Sequence, residues 1–137
     1  MRLEAERARE LFASSRIARL ATVGPDGAPN LVPVTFAMRD DTVTLAVDHK
    51  PKSTRELRRL RDIRHEPRVC LLADHYDDDW TRLWWARADG RARVVPHDPV
   101  AAGWLTERYA QYREHPPAGP FIVIEVDRWT GWAYAEG

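Results

Sequence analysis

Lys50, Lys52, Ser53 and Thr54 are the residues whose types and spacing point most directly to chemistry. They lie in the stretch Asp48 to Pro67, DHKPKSTRELRRLRDIRHEP, in which Leu57, Leu60 and Ile63 recur at helical spacing. Ser53 with Glu56 three residues on has the form of a capping box, which predicts a helix beginning at Thr54. The first backbone N–H groups of such a helix lack intrahelical partners and carry partial positive charge, and Lys50 and Lys52 stand beside them. That combination suits a phosphate. The same residue types also occur on surface helices that bind nothing, where the serine only satisfies orphan donors. The stretch is neither a Walker loop nor a GxGxxG fingerprint.

Other candidates carry less. The run Asp74-His75-Tyr76-Asp77-Asp78-Asp79 has ligand-type side chains but lacks the glycine and terminal glutamate of a calcium loop, and it reads as an acidic turn between strands. His49, His65, His75, His97 and His115 are scattered and form no catalytic pattern. Cys70, between Val69 and Leu71, reads as a small buried hydrophobe. Six tryptophans are an excess in so short a chain. Trp84 and Trp85 are neighbours in a strand, so they face opposite sides of a sheet and only one points into a barrel. The other needs a cover, such as a symmetric partner or a planar ring. Arg87, two residues on, shares the face of Trp85 and sets a cation beside an aromatic plane.

The elements that must position these groups follow from pattern. Leu3 to Phe12 reads as an amphipathic helix, Ile17 to Val23 as a strand, and Gly24 to Gly27 as a turn. Asn30 to Met38 and Thr42 to Val47 read as two more strands in up-and-down order, with Pro33 placing the first at an edge or bulge. Beyond the capped helix, Arg68 to Ala73 is a short strand, and Leu83 to Val95, with Gly90 in its middle, reads as a strand, a kink or turn, and another strand. Asp98 to His115 reads as one long helix, capped by Asp98 with Pro99 in its first position. Phe121 to Val126 and Trp129 to Tyr134 close the chain as two strands. About seven strands in runs, with about three helices, predict a mainly β, α+β fold: an antiparallel barrel with the helices packed outside.

The bulk numbers bound the rest. A chain of 137 residues fits a single domain spanning 1–137. Lysine plus arginine and aspartate plus glutamate balance at 21 each, so no global field draws nucleic acid or a membrane surface. One cysteine fits a reducing compartment, and the absence of an apolar leader or spanning run predicts a cytoplasmic protein.

Taken in order, these segments resemble the split-barrel flavin and deazaflavin oxidoreductases related to pyridoxamine phosphate oxidase. The matching residues are Arg16 to Thr22, Gly24 to Gly27, Pro33 to Phe36, His49 to Leu57 and Glu66 to Val69. Asp79 to Arg87, Gly90 to Ala92, Tyr112-Arg113, Pro116-Pro117 and Arg128 to Trp132 resemble a mycobacterial and actinobacterial subgroup described as deazaflavin-dependent. The resemblance implies an antiparallel split barrel of six to eight strands, of the FMN-binding type, forming a homodimer with cofactors at the subunit interface. It implies that Lys50, Lys52, Ser53 and Thr54 grip the cofactor phosphate, and that Val34, Asp48 and His49 line the ring. Trp85, Arg87, Trp129 and Trp132 would then contact ring or tail. The implied cofactor is the deazaflavin coenzyme F420, with FMN as the alternative, and the implied chemistry is hydride transfer to a small organic substrate. A cofactor-binding protein without turnover is the other class left open. From Lys50 to Arg68 there are eight basic residues against three acidic ones, a surplus that could hold the anionic tail of the deazaflavin coenzyme and that a solvated helix face explains equally well.

Overall fold

In the computed structural model, which describes residues 1–47 and 54–135, the chain runs through seven strands and four α-helices. The elements are α1 (Ala5–Ser14), β1 (Ala18–Val23), β2 (Pro29–Val34), β3 (Ala37–Arg39), β4 (Thr42–Ala46), α2 (Thr54–His65), β5 (Arg68–His75), β6 (Trp84–Val95), α3 (Pro99–Arg108), α4 (Ala110–Glu114) and β7 (Phe121–Ala133). One turn of 3-10 helix, Trp80–Arg82, precedes β6. The strands form one antiparallel sheet in the order β2-β1-β5-β6-β7-β4-β3. The sheet folds as a split barrel around Leu20, Val43, Leu45, Leu71, Ile122 and Ile124, all almost wholly buried. Helices lie outside it: α1 packs on β6 and β7, α2 on β1 and β6, and α3 on β3 and β4.

The pattern of alternation that builds β1 is clear in its burial, with Ala18, Leu20 and Thr22 turned inward and Arg19 and Val23 outward. Pro33 sits in β2, the edge strand, opposite Arg19, where its missing N–H costs no ladder bond to a further strand. The three early strands do not form a simple meander. Asn30 to Met38 divides at Thr35 and Phe36 into β2 and β3, and the β3-β4 hairpin joins β7 at the opposite end of the sheet. Gly90 does not end a strand either. β6 runs unbroken, and the register with β7 shifts between Asp89, opposite Arg128, and Gly90, opposite Val126, so Asp127 is the extra residue of a bulge.

The long helix expected over Asp98 to His115 begins as its signals dictate, with the Asp98 carboxylate accepting from the Ala101 N–H at 3.0 Å and Pro99 in the first turn. It breaks at Tyr109, whose backbone is extended (φ −120°, ψ 125°). The reason is tertiary. The Tyr109 hydroxyl accepts from the Phe36 N–H at 3.1 Å and stands 2.8 Å from the Phe36 carbonyl and 2.9 Å from that of Arg16, one of which takes its proton. Arg108 lies over the Phe36 ring and donates to the carbonyls of Ala13 and Ser15. One broken turn thus satisfies the backbone polar groups where the chain leaves α1 and passes from β2 to β3.

Candidate functional site

The residues expected to grip a phosphate fall mostly outside what the structure describes: Asp48, His49, Lys50, Lys52 and Ser53 lie between β4 and α2 in the sequence and are outside the described residues. What is described is their frame. β4 ends at Ala46, Val47 is buried, and α2 begins at Thr54, the position expected from the capping pattern. α2 is held by Leu60 and Ile63, which are 3% and 2% exposed and enter the main core. The strand-to-helix passage is therefore anchored at both ends.

The other predicted residues fall on two faces of the sheet. Val34, at the end of β2, is 8% exposed, pairs with Ala18 and turns into the core. Trp85 and Arg87 stand on the outward face of β6, opposite Asp74 and Leu72 of β5. Trp84 faces the other way and packs against the core, as adjacent strand positions require. Trp85 lies across from Trp132 on β7, whose ring meets that of Tyr134 edge-on at 6.5 Å. Trp129 belongs to the inner side: it packs edge-on to Phe12 at 5.3 Å, and its Nε1 donates to Asp41 Oδ1 at 2.9 Å. Together with Arg9, that bond holds the Asp41 carboxyl below the usual carboxylate range.

Arg87 is engaged by a carboxylate and not by an aromatic ring: its Nη2 meets Asp89 Oδ1 at 2.7 Å and its Nε meets Asp89 Oδ2 at 3.0 Å. This pair borders a shallow outward groove of about 320 Å³, floored by Ala21, Val23 and Cys70. The far rim is a second fork, in which Arg68 Nε and Nη2 donate to Glu66 Oε1 at 3.1 and 2.6 Å and the Arg68 N–H donates to Oε2. Those bonds hold the Glu66 carboxyl down to about 2. Both guanidiniums are thus already paired, so the groove is apolar below and electrically balanced at its rim. That lining suits a planar ring and not a phosphate.

Glu66, Arg68, Cys70 and Asp89 were not among the predicted site residues. Their signal is the period of two: Asp89 follows Trp85 and Arg87 on one face, and Arg68 and Cys70 alternate with the buried Val69 and Leu71. In the acidic run, Asp77 meets His75 Nε2 at 2.8 Å and Asp79 caps the 3-10 turn by accepting from the Thr81 N–H. No group of three or more metal-ligating side chains converges among the described residues. No helix among them is long and apolar enough to cross a membrane.

Comparison with known proteins places this geometry. The family model described as pyridoxamine 5'-phosphate oxidase matches residues 5–133. An FAD-binding protein from Mesorhizobium loti superimposes with a TM-score of 0.69 at 22% identity, over 96% of this chain and 93% of that one. An FAD-binding protein from Mycobacterium smegmatis gives 0.70 at 18% identity, covering 98% and 100%. A heme-binding protein from Mycobacterium smegmatis gives 0.68 at 21% identity, over 97% of this chain and 55% of that one. At these identities the likeness is one of fold. No curated protein matches the chain.

Proposed function

The chain belongs to the pyridoxamine 5'-phosphate oxidase family, and from that premise we propose that it is an oxidoreductase holding a phosphate-bearing deazaflavin or flavin cofactor, with coenzyme F420 as the leading occupant and FMN as the alternative. The observation that carries this reading is the start of α2 at Thr54, directly after Lys50, Lys52 and Ser53 in the sequence. A helix start beside two lysines supplies what an anion needs: oriented N–H donors, a favourable dipole and positive charge. When bound, such a cofactor supplies hydride transfer, so the protein's share is binding, orientation and electrostatics.

In this reading Lys50, Lys52, Ser53 and Thr54 take the phosphate. Asp48 and His49 border the ring, Trp85 and Arg87 approach it from the outward face of β6, and Val34, which turns into the core, backs the sheet from the barrel side. The eight basic residues between Lys50 and Arg68, against three acidic ones, favour the anionic tail of coenzyme F420. The flavin alternative is in keeping with two proteins of similar fold that are described as FAD-binding. A homodimer completes the proposal. The outward face leaves Leu31 67%, Val23 39% and Leu72 37% exposed, an apolar surface that a second copy covers while closing the groove.

Titrating the purified protein with coenzyme F420 and, separately, with FMN, while following cofactor and tryptophan fluorescence, tests the proposal. Micromolar or tighter binding of the deazaflavin alone is the expected result. FMN alone would move the reading to its alternative, and binding of neither would overturn it.

A further inference from the structure

Asp62 has no exposed surface. It sits on α2 between Leu60 and Ile63, and Oδ2 accepts from the Thr22 hydroxyl of β1 at 3.1 Å; Thr22 is itself 1% exposed. Oδ1 has no hydrogen-bond partner among the described residues, and the Arg61 Nη2 stands 3.9 Å from it, too far to donate. Gly24 completes the enclosure, since a Cβ there would come within 2.9 Å of Oδ1.

A half-satisfied buried carboxylate does not serve stability, because an apolar side chain of similar size is often neutral or better in such a place. What it adds is direction. Leu60 and Ile63 hold α2 against the barrel through non-directional contacts, whereas a hydrogen bond to one hydroxyl of β1 adds a directional constraint on where α2 lies along its axis. We infer that Asp62, through Thr22, is a positioning residue that sets the axial placement of α2 and so the position of its first N–H groups. The inference rests on the proposed phosphate site at Lys50 to Thr54. A helix of twelve residues is a rod about 18 Å long, and it carries a shift at Asp62 to Thr54 undiminished.

Three variants separate this role from a structural one: Thr22→Val, which removes the hydroxyl at constant shape, Thr22→Ser, which keeps it, and Asp62→Leu. Each is titrated with coenzyme F420 and FMN, and its unfolding midpoint is measured without cofactor. Thr22→Val is expected to weaken binding about tenfold, the size of one lost hydrogen bond, and Thr22→Ser to stay within about twofold of the parent. Asp62→Leu should weaken binding at least as much with its unfolding midpoint unchanged or raised. Affinity that follows the midpoint in all three variants, or parental affinity in Thr22→Val and Asp62→Leu, overturns the inference. Parallel titration of the Lys50→Ala, Lys52→Ala double variant distinguishes the two failures. If the double variant loses binding and Thr22→Val does not, only the positioning role falls. If the double variant binds like the parent, the phosphate site itself is misplaced and the inference falls with it.

Discussion

Gly90→Ala is expected to cost roughly 4 kcal/mol or more, a large share of the roughly 5 to 15 kcal/mol that keeps a domain folded. A Cβ at this position would lie 2.3 Å from the Glu125 carbonyl oxygen and 2.9 Å from the Val126 Cα, and both are backbone atoms that no rotamer change can move. They belong to β7 at the bulge, where the extra Asp127 brings the two longest strands into close approach. Relief would require separating β6 from β7 at the centre of the sheet. Gly103 on α3 is the matched control. A Cβ there meets nothing within 4 Å, so Gly103→Ala should stabilise by up to about 1 kcal/mol through helix propensity. Denaturant unfolding of the two variants beside the parent measures both effects. A Gly90→Ala protein as stable as the parent would show that the bulge does not hold the strands as described.

Replacing Lys50 and Lys52 together with alanine is expected to weaken cofactor binding by about a hundredfold or more. Charge-assisted contacts are worth roughly 1.5 to 3 kcal/mol each, and two are lost. The unfolding midpoint without cofactor should hardly move, because Leu60 and Ile63 hold the helix that follows to the barrel. The loss should also shrink as salt is raised, since screening removes the same interaction from the parent. A double variant that binds as tightly as the parent would place the phosphate elsewhere.

Much of this frame was legible because local signals and tertiary structure agree. Asp98 and Pro99 start α3, Thr54 starts α2, and Pro33 lies on the edge strand, each where its own backbone chemistry puts it. The departures are places where distant groups decide. Tyr109 carries no helix-breaking signal; it leaves helical geometry because its hydroxyl is needed by Phe36 and Arg16, far away in sequence. The β3-β4 hairpin leaves its expected neighbours because Thr42 to Ala46 find their partners in Phe121 to Glu125, a pairing that spacing along the chain cannot reveal.

The candidate site divides in the same way. Trp85 and Arg87 share a face, as the period of two requires. The Asp89 carboxylate that claims Arg87 was readable from the same alternation, but the groove below them needs β1 and β5 side by side, which only the sheet order supplies. The Thr22 and Asp62 pair joins two elements forty residues apart and leaves no local pattern beyond a polar residue among apolar ones.

In the proposed function the cofactor is held by its phosphate at the start of α2. The most direct test is a comparison of whichever cofactor binds, coenzyme F420 or FMN, with its chromophore lacking the phosphate, in titrations under one set of conditions. Binding about a hundredfold weaker for the phosphate-free chromophore is the predicted result, matching the loss in the double lysine variant. Equal affinities for the two would show that the ring alone is recognised and would contradict the phosphate site.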